Sequence, residues 1–469
     1  MNRQDIIAAA DAYLEKNWPA MVQDIERLVK IESIEDLEAA APGAPFGPGP
    51  KAALTEVLAI AEGMGFSTCD VDGYMGYADL AGAGGKQIGI IGHMDVVPAG
   101  PGWHHEPYAV TEREGFLVGR GVLDDKGPSL MALHAMKCLA DLDLGFNHTI
   151  RFLFGANEES GMNDVPYYRE RFDDPTFLFT PDAEFPVCYG EKGGFDADIT
   201  SGPISDPVIV EFEGGAATNA VPGIAHAVVR ADAAALPEAE RITVTDLGDG
   251  AVRIEASGKS AHASTPESGI NAIELIVRYL LANDLCGDDE RKFLEFQEKL
   301  LSATDGSGVG LKTEDEYFGP LTVIGGTVTM KDGRFVQTMD SRFPTSITAD
   351  EITAAMREHT DPIGATFENT LLMVPFLVKP DTPEIQTLLA AYNEITGAGA
   401  EPFTMGGGTY AREFSRGASF GPEMPWLPVP DWAGGIHGPD EAVSIEQLKT
   451  AFKIYALALY DLEQLDLAQ

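Results

Sequence analysis

Gln87-Ile88-Gly89-Ile90-Ile91-Gly92-His93-Met94-Asp95 decides the fold. Its apolar run is β-branched, bounded by glycine and too short for a helix, so it predicts a strand buried on both faces. Helical spacing follows over 128–142, and Thr149 to Phe154 and Phe177 to Thr180 supply two further apolar strands. Strand, helix, strand, helix, strand predicts an α/β domain built on a parallel sheet with helices on both faces. Ligands bind such sheets beyond the carboxyl ends of the strands. His93 and Asp95 stand there.

Upstream, residues 5–31 place Ile6, Ile7, Ala10, Tyr13, Leu14, Met21, Ile25, Leu28 and Val29 at helical spacing. They predict one or two amphipathic helices, with Pro19 starting the second or kinking the first. A Pro/Gly/Ala-rich loop over 40–50 leads into a helix over 52–64. After about residue 190 the pattern changes to short alternating segments at 194–200, 207–213, 224–232 and 252–257. Helices at 268–283 and 289–303 come next, then strands at 321–330 and 334–342 around the hairpin signal Lys331-Asp332-Gly333. Helical periodicity returns at Pro383, and a Gly-rich loop precedes a terminal helix at 444–463. The chain therefore divides into an α/β domain of residues 1–189 and 379–469, interrupted by an α+β domain of residues 190–378.

The length of 469 residues suits two or three domains. Lys and Arg number 32 against 74 Asp and Glu, a net charge of −42, yet 44% of residues are hydrophobic and the chain has a folding composition. Such a field repels phosphate backbones and anionic lipid, so neither nucleic-acid nor membrane partners are expected. Cys69, Cys138, Cys188 and Cys286 form no CxxC pair and suit a reducing compartment. The first residues lead into an amphipathic pattern rather than a signal core, and no run approaches the ~18 apolar residues of a bilayer span. A cytoplasmic protein is expected.

Five segments place His, Asp or Glu after predicted strands or in Gly-rich turns. In Gly92-His93-Met94-Asp95, a histidine and a carboxylate two residues on can supply a metal ligand and its orienting acceptor. An HxD pair alone is often incidental. Gly121-Val122-Leu123-Asp124-Asp125-Lys126-Gly127 puts carboxylates at a helix start, where the dipole favours them and where an ordinary N-cap would also sit. Asn157-Glu158-Glu159-Ser160-Gly161 sets adjacent carboxylates at a strand end, where they repel unless a cation is near. One could bind metal while the other serves as general base; a solvated acidic loop is the plain alternative. Thr180-Pro181-Asp182 ends the third strand, and Gly434-Gly435-Ile436-His437-Gly438-Pro439-Asp440-Glu441 sets a histidine in a Gly-rich loop. Together they match two borderline cations, each with one His, sharing a carboxylate.

The segments GHMDVVP, GRGVLDDKGP, NEESG, TPDAEFP and GGIHGPDE resemble the co-catalytic di-zinc metallopeptidase family that includes carboxypeptidase G, aminoacylase and succinyl-diaminopimelate desuccinylase. Within it, the chain most resembles the branch of Xaa-His and β-Ala-Xaa dipeptidases. The resemblance implies a zinc-peptidase-like catalytic domain with a central, mostly parallel sheet, and a large lid. It implies two Zn2+ per chain, with Mn2+ or Co2+ as substitutes. His93 and Asp182 would bind one, Glu159 and His437 the other, and Asp124 would bridge them. A cis peptide would follow Asp124, Asp95 would orient His93, and Glu158 would be the general base. In the lid, His262 of Gly258-Lys259-Ser260-Ala261-His262 resembles the family histidine that stabilises the oxyanion. Asn219 and Arg342 match substrate-touching positions, and Gly406, Gly407, Gly408 and Thr409 resemble the loop that holds the substrate's C-terminal carboxylate. The size of the insert implies a monomer that supplies His262 to its own site. A small peptide is the implied substrate. Deacylation of N-acyl amino acids is the alternative with the same machinery, and a non-catalytic binding protein is the third reading.

Overall fold

The computed structural model describes residues 1–467. They form two compact units: Met1–Tyr189 with Leu377–Phe403 and the described residues from Gly408 onward, and Gly190–Phe376 with Thr404–Gly407. Thr404–Gly407 departs from the expected boundary because its main chain and side chains tie it to the second unit: Lys192 N–H donates to Met405 O, and Thr404 Oγ1 to Tyr317 O.

In the first unit, helix α1 (Arg3–Val29) starts on a reciprocal Asn2/Asp5 cap and buries Ile6, Ala10, Leu14, Met21, Ile25 and Leu28. Pro19 lies inside this one helix rather than starting a second. Helix α2 (Pro48–Gly63) follows, then strands β1 (Ser67–Val71) and β2 (Met75–Leu80), joined by Asp72, Gly73 and Tyr74, the first two at positive φ. Strand β3 (Gln87–His93) is buried from Ile88 onward, as its composition demands. The short strands β4 (Thr111–Arg113) and β5 (Phe116–Val118) lead to helix α3 (Lys126–Ala140). Helix α3 is apolar on nearly every side and buried along its length, with α1 and the terminal helix Ile445–Leu462 packed against it. Strand β6 (Thr149–Gly155), helix α4 (Asp164–Arg169) and strand β7 (Phe177–Thr180) complete the first segment.

The central sheet runs β1-β2-β6-β3-β7, then 417–419 and 188–191. It is mixed rather than mostly parallel: β6, β3, β7 and Gly417–Ser419 are parallel, whereas β1, β2 and 188–191 pair antiparallel. The parallel middle follows from helical crossovers, and the antiparallel margin from a tight Asp-Gly turn that the apolar pattern did not reveal.

The second unit is α+β. Its strands lie in the order 242–248, 251–257, 224–230, 209–214, 328–331, 334–343, 193–200 and 366–373, with 322–324 also on 334–343, and neighbouring strands pair antiparallel. The helices Ala272–Ala282, Asp288–Leu301 and Ala349–Thr360 contribute Ile276, Phe293, Leu294, Ile352 and Met356 to one apolar core with the sheet. The segment read as one strand at 321–330 is two, Thr322–Ile324 and Val328–Lys331, because Gly325 and Gly326 interrupt it.

Candidate metal centre

Three parallel strands end at one edge of the first unit and deliver the acidic and imidazole groups there. His93 closes β3 and is fully buried. Its Nδ1 lies 3.0 Å from the main-chain oxygen of Asp95, which can only accept, so Nδ1 carries the proton and Nε2 presents a lone pair. That Nε2 is 2.9 Å from Asp124 Oδ1 and 3.7 Å from Asp182 Oδ2. The other Asp124 oxygen, Oδ2, is 3.0 Å from His437 Nε2, which is itself 3.0 Å from Glu159 Oε2. A single carboxylate thus turns one oxygen toward each histidine. The Asp124–Asp125 peptide is cis.

The donor set fits a pair of cations. Each set has one imidazole, one carboxylate of its own and a share of Asp124, without thiolate, a combination that suits borderline divalent ions. Charge points the same way. Burial, reinforced by Asp124, pushes the Asp182 carboxyl up to about 8, and burial raises Glu158 and Glu159 too. Hydrogen bonds donated to the Asp124 and Glu159 carboxylates hold the His437 imidazole up at about 10. Four carboxylates and two histidines in this space need positive charge, which divalent ions supply. Glu158, His93 and Asp182 also bring ligand atoms within 4.8 Å of one another.

The surrounding groups position the ligands. Asp95 fixes His93 through its carbonyl more than its carboxylate, whose Oδ1 is 3.5 Å from Nδ1. That carboxylate accepts instead from the main-chain N–H groups of Glu158 (3.2 Å) and Glu159 (3.1 Å), so one residue registers β3 against the paired glutamates. Asp125 Oδ2 accepts from His93 N–H (3.2 Å) and Ser129 Oγ (2.8 Å). Gly92 leaves room for this contact, since a Cβ there would lie 1.9 Å from Ser129 Oγ.

Sequence reasoning gave no role to the other residues that hold these ligands in place. Glu441 Oε1 accepts from the N–H groups of Gly121 (3.0 Å), Leu123 (2.9 Å) and Asp124 (3.2 Å), and its Oε2 from buried Arg120 (2.5 Å). Asp440 accepts from the N–H groups of His104 and His105, both at 3.0 Å, and from their rings at 2.7 and 2.9 Å. These two acids staple the His437 loop to the bridging carboxylate's chain and to the 104–105 loop. Below the glutamates, Asp164 accepts from Ala156 N–H (2.8 Å) and from the Tyr410 hydroxyl, and burial pushes its carboxyl up to about 7. Only the Asp440-Glu441 pair had a visible signal, two acids after His-Gly-Pro; their main-chain partners lie hundreds of residues away.

The second unit brings Asn219 and His262 together. The two-residue strand Ala261–His262 pairs with Ala220–Val221, and Ala263 N–H donates to Asn219 O (2.9 Å). Ser264 N–H donates to His262 Nδ1 (3.2 Å), so the neutral ring carries its proton on Nε2. Burial and the Arg342 guanidinium lower the pKa of His262, which keeps it neutral at pH 7. The fork expected of Arg342 is partly engaged: Nε and Nη2 bind Asp340 at 2.9 and 2.6 Å, leaving Nη1 for a ligand. Gly406 passes close to Ser264, whose Cβ would lie 2.7 Å from an added Cβ. Gly406 and Gly407 belong to the second unit, Gly408 and Thr409 to the first. Thr409 is buried, and its hydroxyl accepts from Ala411 N–H (3.1 Å), capping the turn that follows.

Residues 89–461 match the family described as peptidase family M20/M25/M40. The chain is 32% identical to YtjP of Bacillus subtilis (strain 168) over 462 residues, 94% of this chain and 97% of that protein. It is 33% identical to the Beta-Ala-Xaa dipeptidase of Lactobacillus delbrueckii subsp. lactis over 470 residues, 96% of this chain and 97% of that protein. Its fold is similar to the di-peptidase Dug1p of Saccharomyces cerevisiae, with a TM-score of 0.61, 13% identity and 99% and 100% of the two chains covered.

Proposed function

The chain belongs to peptidase family M20/M25/M40, and from that premise we propose that it is a dipeptidase cleaving unmodified dipeptides, Xaa-His, β-Ala-Xaa or a broad range, with two zinc ions. One observation carries the reading: Asp124 turns one oxygen to His93 and the other to His437, at 2.9 and 3.0 Å. His93 and Asp182 would hold one ion, Glu159 and His437 the other, with Asp124 shared. When bound, such ions supply polarisation of the scissile carbonyl and a more acidic water.

The chain's own groups do the rest. Glu158 takes a proton from the attacking water as the C–O bond forms, and returns it to the amine as the C–N bond breaks. Burial raises its carboxyl, which suits a group that must keep the proton between those steps. His262 offers Nε2–H to the developing oxyanion. Arg342 and the main chain of Gly406, Gly407, Gly408 and Thr409 bind the substrate's carboxylate, and Asn219 touches the substrate. The similarity to a Beta-Ala-Xaa dipeptidase favours a dipeptide over an N-acyl amino acid. No helix among the described residues is long and apolar enough to cross a membrane. With the charge of −42 opposing self-association, we assign the enzyme to the cytoplasm as a monomer. Light scattering after size exclusion checks the monomer; a stable dimer would overturn it.

The direct test is amino-acid release from Ala-His, β-Ala-His, Leu-Leu and N-acetyl-His, before and after EDTA and after zinc or manganese is returned. Metal-dependent cleavage of the free-amine substrates alone is expected. Preference for N-acetyl-His would make the enzyme a deacylase.

A further inference from the structure

Three ligand-type side chains gather on the open face of the second unit's sheet. Glu211 and Glu213 stand two residues apart on the strand Ile209–Gly214 and share a face. A bulge between Ile209 and Glu211 advances the register by one residue, so Glu213 rather than buried Phe212 lies opposite His226 on the strand Ile224–Arg230. His226 Nε2 is 2.6 Å from Glu211 Oε1, and one ligand atom each of Glu211, Glu213 and His226 fall within 4.8 Å of one another. The next strand sets Glu255 opposite His226 as well, with Arg253 3.5 Å from that carboxylate. Glu211 and Glu213, two residues apart on one face, repel each other, and a cation between them relieves that repulsion. Beside the triad is a cavity of about 430 Å³ lined by Glu213, Ala217, Pro222, His226 and Ser260, which leaves one side of the triad open.

We propose that Glu211, Glu213 and His226 hold one divalent transition-metal cation of the zinc type. The donor set selects the ion: an imidazole disfavours calcium and magnesium, and the lack of thiolate disfavours Cu(I). Three protein ligands leave a coordination position for water on the cavity side. Two of the three sit on one strand and the third on its neighbour, so the ion clips the bulged pair together.

The test counts zinc. The metal-loaded enzyme is titrated with ZnCl2 against a chromophoric chelator, for wild type, His226→Ala and Glu213→Gln, with dipeptide hydrolysis and far-UV circular dichroism showing that each variant keeps its fold and active site. Wild type is expected to saturate with one zinc per chain more than either variant, at unchanged turnover. Equal zinc uptake by the three proteins would overturn the proposal and reduce the triad to a surface ion pair.

Discussion

His93 and His262 are held in opposite ways. His93 is fully buried, its ring fixed by the Asp95 carbonyl, its main chain by Asp125 and its strand by neighbours on both sides. His262 is exposed, on a two-residue strand, with Ser264 as its ring partner. On the proposed roles, the difference follows from what each would meet. A cation site needs lone pairs fixed within fractions of an ångström, so buried hydrogen bonds set them before the ion arrives. A group that meets a peptide must remain reachable by it.

Removal of a reacting group from the rigid region has the largest expected effect. Glu158→Ala should lower turnover by about 10² to 10⁴, the range of general acid–base contributions, with the wild-type metal content retained by elemental analysis. Metal loss alongside activity would move Glu158 from base to ligand and redraw the cluster. Glu441→Gln attacks the scaffold instead. It leaves the Arg120 guanidinium buried beside a neutral amide, and urea unfolding should show a loss of about 3–5 kcal/mol, with weaker metal retention. An unchanged midpoint would mean that the cradle is less rigid than its hydrogen bonds suggest.

In the exposed region, His262→Ala should lower kcat by about 10² to 10³, the scale of one deleted oxyanion donor, without moving metal content or the melting temperature. Ser264→Ala should give a smaller fall through loss of ring orientation. Asp440→Asn sharpens the comparison last, through pH. Histidine side chains and main-chain N–H groups hold the Asp440 carboxyl below its usual range, so it stabilises the fold at pH values above the unfolded carboxylate value of about 3.9 and loses that contribution as pH falls below it. The variant should melt a few degrees below wild type at pH 7, and the gap should begin to narrow as pH falls below about 4. A gap of constant size from about pH 7 to about pH 3 would assign the effect to packing.

Much of this was legible because buried strands announce themselves. Strand β3, β6 and β7 are apolar runs cut off by Gly, His or Thr, and the Asp332-Gly333 turn sits between alternating segments. Strands with mixed faces were not legible. Thr366–Met373 is an edge strand with most residues exposed, and β1–β2 covers only part of the sheet margin, so neither shows a clean period. Helix Ala349–Thr360 is marked in the sequence by its Thr348/Glu351 capping box.

By itself the sequence determined which residues end the central strands, and hence that His93, Glu158, Glu159 and Asp182 emerge at one edge; local periodicity suffices for that. Tertiary structure alone decided that Asp124 faces both histidines, that Asp95 serves through its carbonyl, that Asp340 engages Arg342, and that Glu441 grips the main chain before Asp124. These are pairings of specific atoms, several between distant segments, and a main-chain acceptor leaves no periodic mark on the residues it holds.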